Sequence, residues 1–105
     1  MPEHRSSTEV SAAHPCLPGH FPGNPVVPAV LLLQQVLEAL QAWRGPHWQL
    51  RRVLAAKFLQ PLLPGERFEI VLLLAETRLD FRCERGTQLL AQGSMEMTQQ
   101  GLSSP

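Results

Sequence analysis

A chain of 105 residues is long enough for one domain and too short for two. Its 44% hydrophobic content separates it from disordered chains, and nine basic against nine acidic side chains leave no positive excess for a nucleic-acid backbone. No apolar run reaches the length of a membrane span, and the opening "MPEHRSSTEV" lacks the apolar core of a secretory signal, so the expected location is cytoplasmic.

In chain order, "TEVSAA" (8–13) is a short strand candidate, and residues 1–7 and 99–105 read as frayed ends of a single domain spanning 1–105. Prolines and glycines dominate Pro15 to Pro28, which is either an ordered loop or a disordered one. A helix is predicted from Pro28 to Arg44. Pro28 suits a first turn, where a missing N–H costs nothing, and Val30, Leu33, Val36, Leu37, Leu40 and Trp43 recur at helical spacing. Gly45 and Pro46 end it.

Four strands follow. "WQLRRVLAAKFL" (48–59) and "ERFEIVLLLAE" (66–76) are joined by the turn "PLLPGE". "RLDFRCE" (78–84) alternates with Leu79, Phe81 and Cys83 on its apolar face. "QLLAQGSMEMT" (88–98) sets Leu89, Ala91, Met95 and Met97 against Gln88, Gln92, Ser94 and Glu96. Arg85-Gly86-Thr87 is a tight hairpin between the last two. Strand, loop, long helix and a run of antiparallel strands predict an α+β domain with the sheet wrapped around the helix. The helix surface and sheet edge left over predict a homodimer.

The two cysteines, Cys16 and Cys83, have no metal-like spacing and read as reduced thiols: Cys83 is a small core residue, and Cys16 has no visible base beside it. No histidine pair has metal-ligand spacing either, and no metal is expected. His4 falls in the frayed end, His14 reads as structural and His47 as solvated. Trp43 and Trp48 flank the helix end as packing residues.

The segment "HPCLPGHFPGNPVVPAVLLLQQ" (14–35) resembles the signature of the 3-hydroxyacyl-[acyl-carrier-protein] dehydratases of the hotdog fold, and "AKFLQPLLPGERFEI" (56–70) resembles their next shared segment. The likeness runs from His14 to Thr98 and is strongest to compact dehydratase-like proteins of bacterial polyene or pigment pathways. It implies a hotdog, a helix held in an antiparallel sheet, with two active sites at a dimer interface. It implies a loop histidine, His20, facing a helix residue of the other subunit. The substrate it implies is an acyl thioester on the phosphopantetheine of an acyl carrier protein, with no cofactor of the enzyme's own and the acyl chain in an apolar tunnel. Val26, Val27, Leu31, Leu33 and Phe58 are tunnel candidates, although core packing explains them equally well. Arg44, Arg51, Arg52 and Lys57 form a basic cluster that suits an acidic carrier protein or a solvated face.

Elimination of water from a 3-hydroxyacyl thioester needs a base for the C2 proton, and neutral imidazole is the side chain best poised near pH 7. It needs donors for the charge growing on the thioester oxygen. The backbone N–H groups of Ala29 and Val30 fit, since Pro28 has none. It also needs a proton for the leaving hydroxyl. The acid implied by the resemblance falls fourteen positions after His20, where this chain has Gln34; Gln35 follows, and Glu38 is the nearest substitute acid. Ala29 stands where the family prefers glycine. Three functions stay open: a dehydratase with Gln34 as a positioning group, a hotdog thioesterase, and a non-catalytic partner that binds the carrier protein or pairs with an active homologue.

Overall fold

Hydrophobic residues between Ala29 and Arg44 are close enough to helical spacing that α1 forms over that whole span. The computed structural model describes residues 3–11 and 26–99. Around α1 lie five strands: β1 (Glu3–Thr8), β2 (Trp48–Phe58), β3 (Phe68–Ala75), β4 (Arg78–Arg85) and β5 (Gln88–Gln99). They form a single sheet in the order β1-β3-β4-β5-β2, antiparallel at every pair. The expected α+β architecture is present, with one helix against one antiparallel sheet among the described residues.

Pro28 caps the helix in extended backbone, and its carbonyl accepts from Leu31 N–H at 3.0 Å and Leu32 N–H at 3.2 Å. Gly45 closes it at φ 120°, donating its N–H to the Gln41 carbonyl. The buried face differs from the predicted one. Leu31, Leu32, Val36 and Leu40 are buried, Leu33, Leu37 and Trp43 pack at the core's margin, and Val30 is 69% exposed. "AVLLL" is apolar all round, so spacing alone leaves the helix's rotation open and the sheet chooses it.

Ile70, Leu72, Leu74, Leu79, Phe81, Cys83, Ala91, Met95 and Met97 meet the helix from the inner face of the sheet. The register shift after Cys83 pairs Leu89 with Glu84 and sends Leu90, fully buried, into the core. Leu89 therefore leaves the apolar face that simple alternation assigns it. On the outer face, Arg5 bonds Glu69 and Glu84, and Arg82 bonds Glu84. Those two guanidiniums hold the Glu84 carboxyl below its ordinary range.

Two further expectations are corrected. β1 begins at Glu3, inside the stretch expected to fray, and ends where "TEVSAA" begins. Its pairing with β3 orders it. His4 stacks on Trp43 with ring centroids 4.9 Å apart, and the Thr8 hydroxyl donates to Gln35 Oε1. His47 is half-buried against Gly45. "PLLPGE" joins β2 to β3, as expected, and does so without forming a hairpin. β2 pairs with β5 at one edge, and residues 59–67 cross the end of the sheet to β3. This crossing is pinned by Val27 N–H to the Leu62 carbonyl and Gly65 N–H to the Val10 carbonyl, both 2.8 Å.

β2 is unusual. After Trp48, all its residues are exposed, and two register shifts against β5 kink it near Arg51 and Leu54. Gly93 of β5 lies under the second kink. A Cβ there would stand 2.2 Å from the Ala55 carbonyl oxygen and 2.9 Å from Ala56 Cα and Phe81 Cζ. The backbone of β2 fits only because position 93 is glycine. Gly93→Ala is expected to lower unfolding free energy by about 2 kcal/mol through overpacking, measured by urea denaturation; an unchanged midpoint would show that β2 relaxes without cost.

Candidate active site at the helix start

The approach to α1 is held rigidly from Val27, which is 9% exposed and bonded to Leu62. Because Pro28 has no N–H, the first donors of the helix are those of Ala29 and Val30. Neither makes a hydrogen bond among the described residues, and both residues are exposed. A helix N-terminus concentrates partial positive charge, so two free donors there can hold a developing oxyanion.

Beside these donors is a cavity of about 250 Å³, lined by Val26, Val27, Ala29, Leu32, Phe58 and Leu62 among others. Three of the five tunnel candidates, Val26, Val27 and Phe58, come together here. Leu31 and Leu33 do not: Leu31 is 5% exposed in the core and Leu33 packs against it. Leu32, Leu59 and Leu62 were missed because the crossing after β2 brings residues 59–62 over the helix start, and no local pattern shows that crossing. The volume lies just below the usual range of about 300–1,000 Å³ for small-molecule sites. The wall along β2 is open, with Phe58 45% and Leu59 47% exposed.

Gln34 lies one turn after Val30 on the same exposed stripe of α1, free of hydrogen bonds among the described residues. Glu38, a further turn and about 6 Å along the axis, lines a different cavity between α1 and β1 with Ser6, Thr8, Gln35 and Ile70. The helix-start cavity and the substitute acid are thus on separate surfaces. His20 lies outside the described residues, as do His14 and Cys16.

The basic cluster divides. Arg44 lies over the Trp43 ring at the end of α1. Arg51 and Arg52 share Glu96, at 3.6 and 2.7 Å. Lys57 stands five residues beyond Arg52, about 17 Å along the strand. Cys83 is fully buried in β4, and burial, helped by the charge of Glu84, pushes its thiol up to about 12. Among the described residues, no group of three or more His, Cys, Asp or Glu is placed to hold a metal ion, and no helix is long and apolar enough to cross a membrane.

The model of the ApeI-like family, described as ApeI dehydratase, matches residues 2–94. The 3-hydroxyacyl-[acyl-carrier-protein] dehydratase FabZ of Chloroflexus aggregans is 35% identical over 92 residues, 85% of this chain and 60% of that protein. FabZ of Haemophilus influenzae strain PittEE is 33% identical over 69 residues, 58% of this chain and 47% of that protein. The chain spans about half the length of the curated relatives it matches. Among solved structures, the dehydratase heterocomplex ApeI:P from Xenorhabdus doucetiae aligns with a TM-score of 0.82 at 25% identity, over 92% of this chain and 88% of that one. R-hydratase PhaJ1 from Pseudomonas aeruginosa aligns at 0.66 and 12% identity, over 93% and 79%, and shares the fold alone. The fold is the hotdog.

Burial of Cys83 has a direct chemical consequence. With its pKa near 12, only about one thiol in ten thousand is thiolate at pH 8. In a Cys16→Ser variant, a disulfide reagent such as Ellman's reagent is expected to leave the native protein unlabelled and to label it fully in guanidinium. Rapid labelling of the native protein would show that β4 opens.

Proposed function

Because the chain belongs to the ApeI-like family of dehydratases, we propose that it removes water from a 3-hydroxyacyl thioester on an acyl carrier protein, leaving the trans-2-enoyl thioester. The observation that supports this most is the pair of unpartnered N–H groups at Ala29 and Val30, beside an apolar cavity at the start of a helix. In this reading the thioester oxygen accepts from those N–H groups while the acyl chain lies along Val27, Leu32 and Phe58. His20 takes the C2 proton. Charge collects on the oxygen, the C2–C3 double bond forms as the C3–O bond breaks, and the imidazolium returns its proton to the departing hydroxyl. The protons balance on one histidine, so Gln34 is asked only to orient the hydroxyl through its amide.

The site is completed by a second copy. β2 offers unpaired backbone groups along its outer side together with Leu50, Val53, Leu54 and Phe58, all at least 38% exposed. A long apolar edge of this kind is normally covered. Pairing β2 with β2 of a partner gives a homodimer and closes the open wall of the cavity. The proposal places the protein in the cytoplasm, without a cofactor of its own, and gives the carrier protein's acidic surface to Arg44, Arg51 and Arg52.

A second reading is favoured by Gln34. The chain lacks the acid at that position, and a solved structure similar to it is a heterocomplex, so the covering copy is alternatively a homologous chain that supplies the acid.

The purified chain, mixed with 3-hydroxyacyl carrier protein and followed by mass spectrometry, is expected to form the enoyl product slowly. His20→Ala is expected to lower the rate roughly a hundredfold or more, and Gln34→Glu to raise it about tenfold. Free acid in place of enoyl product would make it a thioesterase. No turnover by either wild type or Gln34→Glu would support the partner-subunit reading.

A further inference from the structure

The outer face of the sheet, away from α1, carries a third cavity, of about 770 Å³, that the reaction above leaves unused. Strand register explains why it exists. Lys57, Gln92 and Arg82 stand side by side across β2, β5 and β4. The next row is Ala55, Ser94, Asp80 and Leu73, and the row after it is Arg52, Glu96 and Arg78. Short side chains at Ala55 and Ser94 thus lie between two rows of long ones, which leaves a trough running across the strands. Pairing β2 with a partner extends the sheet in its own plane and leaves this face open.

The chemistry of the trough is specific. Lys57 has no carboxylate partner among the described residues. Among the described residues, Arg82 and Arg78 are bonded to Glu84 and Asp80 through Nε alone, which leaves their terminal N–H groups without a partner there. A guanidinium held at Nε is fixed in direction and still offers its fork. Ser94 is 6% exposed, and its hydroxyl makes no hydrogen bond among the described residues. No fully enclosed side-chain polar atom in the described structure lacks a partner, so the Ser94 hydroxyl still reaches solvent, and it lines this cavity. Three cations and the solvent-reaching, unpartnered hydroxyl of an otherwise buried serine therefore line a space of ordinary small-molecule size.

We propose that this trough binds a phosphorylated small molecule, with its phosphate between Lys57 and Arg82 and its hydroxyl or amide groups over Ser94 and Asp80. A phosphate is favoured over a fatty carboxylate by the lining. An alkyl chain along the trough would cover Asp80, Gln92 and Ser94 without pairing them, at the cost of desolvating each. A molecule with donors of its own meets the Asp80 carboxylate, and Leu73 and Ala55 provide an apolar floor for its body. The site is separate from the helix start and stands whether or not the dehydratase reading does.

The test is titration of the full ¹⁵N-labelled chain with adenosine monophosphate and, separately, with octanoate. Saturable shifts at the amides of Asp80, Gln92 and Ser94 are expected with the nucleotide only, weakening as salt screens the cations. Lys57→Glu is expected to weaken binding at least tenfold and Arg82→Gln severalfold, each with an unchanged circular dichroism spectrum. The proposal is overturned if neither probe saturates, if octanoate alone binds, if shifts gather at Ala29 and Val30, or if Lys57→Glu binds as well as wild type.

Discussion

The backbone of β2 directs half of its hydrogen-bonding groups to β5 and the other half away from the chain. Everything after Trp48 on this strand is exposed, and several of those side chains are large and apolar. Backbone groups and apolar surface in such an arrangement are stable only when water or another strand meets them, and a long edge attracts the strand. The other edge differs: β1 is short, polar in composition and pinned to the helix through the His4–Trp43 stack and the Thr8–Gln35 bond. The sheet therefore has one short polar edge and one long apolar edge suited to a partner.

That asymmetry organises the site. β2 ends at Phe58, and the chain then crosses directly over the start of α1, where Leu62 holds Val27 and so fixes the turn that presents Ala29 and Val30. The open side of the cavity is the β2 side. Whatever pairs with β2 would also wall the cavity beside the free N–H groups, so the proposed chemistry would depend on assembly. Gln34, on the exposed stripe one turn beyond Val30, faces outward from the same helix, where a partner's groups would meet it.

Much of this was legible in the sequence because it is local. Alternation marked Leu79, Phe81 and Cys83, the Gly86 turn separated β4 from β5, and Pro28 announced both the helix and its two unpaired donors. What failed to show was set by distant partners. β1 is polar throughout and becomes a strand only because β3 pairs with it. "PLLPGE" has the composition of a hairpin turn, yet it crosses the sheet, and only the register of β2 on β5 distinguishes the two. The bulge that exchanges Leu89 for Leu90 leaves no mark in a run of apolar residues. At the site, Val26, Val27 and Phe58 were readable, but Leu31 and Leu33 turned toward the core once the sheet chose the helix's rotation, and Leu32 took their place. Glu38 matched Gln34 by helical spacing alone; packing against β1 put it beside another cavity.

The claim on which this account turns is that the β2 edge is covered by a second copy of the chain. Sedimentation equilibrium at micromolar concentration, combined with hydrogen exchange of the backbone amides, tests it most directly. Twice the mass of the chain is expected, with slow exchange along Arg51–Phe58, including amides that have no partner within one protomer. A single-chain mass across the whole concentration range, with fast exchange at those amides, would contradict it.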